Sequence, residues 1–267
     1  MVKLIAFVKR DLLIDTSYRL SFILQLGSIF LSLASYHFLA RFIGHSPLPG
    51  LSAYGGDYFA FVIVGVSLHE YLSTSLDAFS RSLRESQLSG TLEALLSTQT
   101  SLRTIVLSSA AYRFLWTSLN VSFYYTIGVT LFGVRLTHGK LIAAALLLLI
   151  AVIVFSALGI LSAAFIVILK RGSPLSWLFG WLSWLLGGVL YPVAILPDWL
   201  RHISFLLPST YAIEGMRAAL LRAAPWFELW HSFAPLLLFA LALVPLSFLS
   251  FHYAVRRVQI TGTLTQY

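Results

Sequence analysis

The chain has 267 residues, of which 58% are hydrophobic and 10% are charged, and its formal net charge is +8. A soluble domain carries roughly 25% charged residues and keeps a polar exterior, so this composition excludes an ordinary soluble protein and indicates an integral membrane protein. The absence of cysteine excludes disulfide bonds, thiolate metal sites and a cysteine nucleophile.

Six stretches of the chain are predicted to cross the bilayer as α-helices. A helix needs about 20 predominantly apolar residues to span the hydrocarbon core. The predicted spans, numbered one to six, lie at residues 20–42, 58–76, within 104–134, within 141–169, at 175–190 and at 231–253. No repeat, linker or low-complexity tract divides them, so residues 1–267 are predicted to form a single all-α transmembrane domain.

The Lys and Arg residues beside the spans predict the orientation of the chain, because cytoplasmic loops carry the excess of these residues. With the N-terminus inside, eleven of them fall on the inner side and six on the outer side. Both termini are therefore predicted to be cytoplasmic, in a multi-pass protein of the cell membrane. The basic residues lie mostly next to spans, which points to anionic lipid headgroups rather than to nucleic acid.

The segment before span one has an amphipathic pattern. Leu4, Ile5, Val8 and Leu12 share one helical stripe, which is typical of a helix that lies in the membrane interface. We predict such a helix on the cytoplasmic side; a plain helical extension of span one is the alternative. No cleavage pattern follows this segment, so we expect it to be retained rather than removed as a signal peptide.

The cytoplasmic loop at residues 77–103 is the most polar internal stretch of the chain. After Gly90, a short apolar-periodic run contains Leu92, Leu95 and Leu96, and Ser89 or Thr91 can cap a helix there, because their hydroxyl oxygens accept hydrogen bonds from free N-terminal amides. A short helix under the membrane would be a docking surface for a cytoplasmic partner. A solvated loop without a partner is the alternative.

The outer segment at residues 191–221 is too apolar for a free loop and contains three prolines, Pro192, Pro197 and Pro208. Proline interrupts helices, and broken helices at membrane depth occur only where protein packs around them or where they line a cavity. We therefore predict short re-entrant helices that dip into the outer leaflet before the last span.

The sequence offers little for catalysis. Its seven histidines are scattered without metal-site spacing, and no G-x-S-x-G turn is present. No G-x-x-x-x-G-K-[ST] sequence occurs either, so the chain has no P-loop of its own for ATP. We predict that it is not an enzyme and that it binds no metal or cofactor itself.

Charged residues within spans are costly and point to a function or to a partner. Glu70 in span two and Arg113 in span three are predicted to lie at similar depth in antiparallel helices and to form an ion pair. That pair would lock the two helices or, alternatively, act as a gate or proton site. Glu214 and Arg217 are three residues apart on one helix face, where they would pair locally or face a translocation path.

Two stretches resemble the permease subunit of a type-2 ABC transporter: SGTLEALLST at 89–98 and YPVAILPDWLRHISFLLPSTYAIEGMR at 191–217. In that family the first surrounds the coupling helix, although Ser89 here replaces the usual acidic residue and Gln99 stands where proline is common. The second is similar to the outer return of the family, and four of its residues match one by one: Pro192, Pro197, Pro208 and Arg217.

The resemblance implies two permease chains, most simply a homodimer, around a central path, each with a separate ABC ATPase subunit that carries ATP and Mg²⁺. It implies export of a hydrophobic or amphipathic substrate such as a drug, a lipid or a lipid-linked polysaccharide. The implied ATPase-coupling residues are Thr91, Leu92, Glu93 and Leu96, with Arg81, Arg84 and Glu85 as second choices.

Two other classes of function compete with this interpretation. A membrane scaffold or sensor subunit would share the spans but would need no ATPase. An intramembrane enzyme acting on lipids would need carboxylates or histidines clustered at one membrane face, and the sequence has no such cluster.

Overall fold

The computed structural model describes residues 9, 12–13, 19–43, 50–88, 102–134, 140–169 and 174–261, and within these ranges every regular element is helical. Eight α-helices of seven or more residues follow one another in these ranges. They are α1 Arg19–Ile43, α2 Tyr58–Leu88, α3 Leu102–Thr130, α4 Leu141–Leu169, α5 Pro174–Leu186, α6 Asp198–Ser204, α7 Pro208–Leu221 and α8 Trp226–Thr261. Two short 3₁₀ turns, Ser52–Tyr54 and Val193–Ile195, precede α2 and α6. The all-α prediction is confirmed for this part of the chain.

Four of these helices are long and apolar enough to cross a membrane: Phe22–Ile43 in α1, Tyr58–Ala78 in α2, Leu141–Ile166 in α4 and Trp226–Ala254 in α8. They correspond to predicted spans one, two, four and six. Helix α3 has 29 residues but is less apolar, and the apolar helix α5 has only 13 residues. The membrane character of the chain is thus confirmed, whereas the count of six spans stays a prediction.

Helix α2 lies at the centre of the bundle. Of its apolar window, 78% is buried, against 11% for α1 and 17% for α8. Its side chains Phe61 and Ile63 are buried together with Phe155 of α4 and Leu236 of α8. Large apolar side chains on the outer helices are exposed instead, as Phe42 is at 89%. In a bilayer these outer surfaces face lipid or another protein chain, since neither requires a polar exterior.

Helix α7 packs against α4 and α8 at very short range. A Cβ atom built on Gly215 would lie 2.7 Å from the Cβ of Ser232 in α8 and 3.1 Å from Cδ1 of Leu147 in α4. Small residues allow such close approach of helices in membranes, where packing rather than hydrophobic burial drives association. Gly215 therefore places α7 deep in the bundle although α7 has only 14 residues.

Two predicted segments fall mainly outside the described residues. Of the predicted N-terminal interface helix, the structure describes only residues 9 and 12–13, which are helical. The predicted coupling residues Thr91, Leu92, Glu93 and Leu96 all lie outside the described ranges. Arg81, Arg84 and Glu85 belong to the last turns of α2, where the backbone is helical.

Candidate functional site at the outer return

We call residues 187–221 the outer return, after the predicted position of this segment on the outer side of the membrane; it contains α6 and α7 and leads from α5 to the last long helix. Each of its three prolines stands at the start of a helical element: Pro192 precedes the 3₁₀ turn, Pro197 precedes α6, and Pro208 is the first residue of α7. Proline is well suited to these positions, where its fixed φ fits the helix and its missing N–H costs nothing. The prediction of short helices is thereby confirmed, and their depth in the membrane stays a prediction.

Hydroxyl groups hold the helices of the outer return together. The buried Ser204 Oγ donates a hydrogen bond of 2.7 Å to the carbonyl of Leu186, which ends α5. Thr210 of α7 donates to the carbonyl of Ser204 at 2.7 Å, and Ser209 bonds Ser183 of α5 at 3.0 Å. Each bond satisfies a polar group that has been removed from water, so the segment is tied to α5 at several points.

Arg217 lies at the centre of this region with no solvent exposure. Its three nitrogens each donate to a backbone carbonyl: Nε to Phe61 at 3.1 Å, and the two terminal nitrogens to Gly188 at 2.6 Å and to Val189 at 2.8 Å. Its guanidinium carbon also lies 3.3 Å from the centre of the Phe61 ring. Hydrogen bonds and a ring face together compensate a buried cation for the water that it has lost.

Two glycines create the space for this arrangement. A Cβ atom on Gly65 of α2 would lie 2.3 Å from the carbonyl oxygen of Val189 and 2.4 Å from a terminal nitrogen of Arg217. Gly188 has a φ of +78°, which side-chain-bearing residues rarely adopt, and a Cβ there would lie 2.8 Å from Val193. We call Arg217, Phe61, Gly65, Gly188 and Val189 the arginine cluster.

Glu214 and Arg217 do not use each other as their principal partner. The donors of Arg217 go to carbonyls, while Glu214 interacts with Tyr54 in the turn before α2. Burial raises the pKa of Tyr54, and the neighbouring Glu214 raises it further, so the phenol stays protonated and can donate to the carboxylate. The two charges remain electrostatic neighbours, but the arginine turns toward α2 and the outer return.

The register of α2 and α3 places Glu70 and Arg113 at different depths, so the similar depth on which their predicted ion pair depends is not observed. Thr74 of α2 contacts Thr117 of α3 at 2.7 Å. In antiparallel helices with a rise of 1.5 Å per residue, Glu70 lies about 6 Å to one side of this contact and Arg113 about 6 Å to the other. Their side chains also point apart, since each leans toward the N-terminus of its own helix.

Glu70 instead lies among tyrosines, and its carboxyl group interacts electrostatically with Tyr36 of α1 and Tyr124 of α3. The adjacent His69 packs against the ring of Trp184 in α5, with ring centres 4.9 Å apart. Within the described ranges, no group of three or more His, Asp or Glu residues is arranged to hold a metal ion.

Sequence reasoning identified Arg217 and the three prolines but missed Gly65, Phe61 and Gly188, which complete the arginine cluster. Two signals for Gly65 were present: a glycine in the middle of an apolar span, and a buried arginine elsewhere that needs carbonyl oxygens. Neither signal tells which span would approach the arginine.

Residues 74–221 match the family model described as ABC-2 type transporter, which is more than half of the chain. The chain belongs to the ABC-2 type transporter family. It is therefore the membrane-spanning permease component of an ABC transporter, and the permease component is not itself catalytic. No curated protein matches the permease. The matched residues include both the predicted coupling segment and all of α7, so they contain the arginine cluster except for Phe61 and Gly65.

Proposed function

We propose that the permease forms the translocation path of an ATP-driven exporter. Two permease chains, most simply two copies, would enclose the path in the cell membrane, with both termini of each chain in the cytoplasm. A separate ABC ATPase subunit below each chain would bind ATP and Mg²⁺. The family match over residues 74–221 carries this proposal, and the lack of a P-loop sequence supports a separate ATPase.

The proposed substrates are hydrophobic or amphipathic molecules: drugs, lipids or lipid-linked polysaccharides. The exposed apolar surface supports this class, because a path for such molecules needs apolar walls next to lipid. On α5, Trp177 and Trp181 are 69% and 51% exposed, and their rings stack at 6.3 Å. Tryptophan also anchors helices at the membrane interface, so the substrate class has to be tested directly.

The ATPase is proposed to dock on the segment that contains Thr91, Leu92, Glu93 and Leu96, with Arg81, Arg84 and Glu85 nearby. Helix α2 supports this location, since it runs without interruption to Leu88 and leads directly into the segment. Its apolar window ends at Ala78, and the ten further residues extend about 15 Å beyond it. A polar helix end of that length suits a contact in the cytoplasm.

The first experiment is gentle extraction of the tagged permease from its native membrane, followed by mass spectrometry of what accompanies it. A stoichiometric ABC ATPase would support the proposal. Recovery of the permease without an ATPase, in extracts where other ABC transporters stay assembled, would favour the scaffold or sensor function instead. Tags at each terminus, probed by protease in sealed vesicles, test the predicted orientation in the same preparation.

The second experiment changes the docking segment. We expect Glu93→Arg to abolish ATP-driven movement of a fluorescent phospholipid and a lipophilic dye, because a reversed charge repels the surface that Glu93 contacts. Membrane insertion should be unchanged. Thr100→Arg introduces the same side chain outside the proposed contact set and serves as the control. Normal movement of both probes by the Glu93→Arg variant would contradict the docking site.

A further inference from the structure

Helix α2 connects two regions of the permease that the proposed function requires to act together. It has 31 residues without a break, which corresponds to about 46 Å. Its last residue, Leu88, directly precedes the proposed ATPase-docking segment. Its first two turns contain Phe61 and Gly65, which belong to the arginine cluster.

Arg217 fixes this end of α2 to the outer return with little freedom of movement. One guanidinium group joins three pieces of chain: α7, which carries it, the backbone at 188–189, and the carbonyl of Phe61 in α2. The planar donor group holds all three acceptors in a fixed geometry, which a flexible ammonium group would not do. The contact between Gly65 and the Val189 carbonyl leaves no room for either segment to slide.

A charged side chain inside a membrane protein is costly, and residues of this kind usually have a function. A neutral residue could fill the same volume at lower cost if only packing were needed. The donors of Arg217 reach backbone atoms of two separate segments, and this property is what a mechanical connection requires.

We propose that Arg217 is a positioning residue that makes the outer return move together with α2, so that ATP-driven displacement of the inner end of α2 reaches the outer side of the permease. This inference rests on the proposed function. Helix α2 is continuous from the arginine cluster to Leu88, and a tight contact between packed elements switches as a unit rather than by gradual deformation.

Spin labels test this connection, and because the permease has no cysteine of its own, its labels attach only at the introduced cysteines. Ser73 lies on an exposed face of α2, Leu206 is exposed at 72% in the outer return, and Phe42 is exposed at 89% at the end of α1. Two variants, Ser73→Cys with Leu206→Cys and Phe42→Cys with Leu206→Cys, report the two distances of interest. Both are measured by pulsed electron paramagnetic resonance in the permease–ATPase complex, without nucleotide and after trapping with ATP and vanadate.

With Arg217 present, we expect the Phe42–Leu206 distance to change on trapping while the Ser73–Leu206 distance stays constant. With Arg217→Met, we expect the Ser73–Leu206 distribution to broaden at least twofold and the change in Phe42–Leu206 to be lost, while ATP hydrolysis stays within twofold of the parent. Arg217→Lys keeps the charge and should recover part of the change. Arg222→Met, five residues further along the chain, should behave like the parent.

The inference is overturned if Arg217→Met keeps the nucleotide-dependent change in Phe42–Leu206, or if the parent fails to combine a changed Phe42–Leu206 distance with a constant Ser73–Leu206 distance. In both cases ATP hydrolysis and probe movement by the parent would still support export. If no ATPase assembles with the permease, the failure lies in the proposed function.

Because Arg217→Met could disturb folding, Phe61→Leu provides a milder test. It removes the ring face while the carbonyl acceptors remain, and it should reduce the nucleotide-dependent change in the Phe42–Leu206 distance without abolishing it.

Discussion

The two halves of the apolar window Tyr58–Ala78 of helix α2 are held in different ways. We call the half that begins at Tyr58 the outer half and the half that ends at Ala78 the inner half, after the proposed orientation of the chain. In the outer half, a buried arginine bonds the backbone of α2 to the outer return, and Gly65 brings the two backbones into contact. In the inner half, hydroxyl pairs connect α2 to its neighbours: Tyr71 with Ser118 at 2.9 Å and Thr74 with Thr117 at 2.7 Å. Charge-assisted bonds are roughly twice as strong as neutral ones, so the outer half is fixed and the inner half is easier to rearrange.

The largest expected effect comes from removing the arginine. Arg217→Met leaves three buried carbonyls without this donor, and at about 1 kcal/mol or more each we expect a loss of about 3 kcal/mol in the free energy of unfolding. Thermal unfolding of the detergent-solubilised permease, followed by tryptophan fluorescence, measures the loss. The control is Arg222→Met, whose partly exposed ion pair with Glu228 contributes at most about 1 kcal/mol. Equal stability of the two variants would mean that the arginine cluster does not fix the outer half.

A smaller loss of stability is expected from adding a methyl group to α2 where it contacts the outer return. Gly65→Ala places a methyl group 2.3 Å from the Val189 carbonyl oxygen, and overpacking of this kind costs about 1–3 kcal/mol. Gly27→Ala in α1 is the matched control, because no atom lies within 4 Å of the added methyl group. Alanine is the better helix former by about 1 kcal/mol, so Gly27→Ala should be neutral or stabilising. The same unfolding assay compares the two, and a stable Gly65→Ala variant would contradict the tight contact.

The difference between local and long-range contacts explains how far the sequence could predict the site. Pro192, Pro197 and Pro208 act within a few residues of their own position, so a local rule predicted the short helices of the outer return. The depth of Glu70 and Arg113 along their helices was counted without knowing which residues of α2 and α3 face each other. The Thr74–Thr117 contact sets that register, and it depends on packing between distant parts of the chain.

Arg217 shows that a residue can be identified from the sequence while its partners cannot. Its resemblance to a family position marked it as important, but its partners are backbone carbonyls, and any residue type can supply a carbonyl. The bonds to Phe61, Gly188 and Val189 therefore cannot be predicted from residue types, and only the glycines that make room for the arginine are visible in the sequence. Glu214 was expected beside Arg217 from helical spacing alone; it stays an electrostatic neighbour of Arg217 and also interacts with Tyr54, which lies far away in the sequence.

The smallest expected effect tests the inner half. Thr74→Val removes one hydroxyl of the 2.7 Å pair with Thr117, and side-chain hydrogen bonds between membrane helices contribute about 0.6 kcal/mol on average. The double variant Thr74→Val and Thr117→Val should lose no more than the single one, because neither hydroxyl is then left without its partner. A double-mutant cycle on unfolding stability gives the coupling energy. A coupling energy as large as the loss of stability expected for Arg217→Met would mean that both halves of α2 are fixed equally strongly. Arg217 would then not hold the outer return to α2 more firmly than the hydroxyl pairs hold α3.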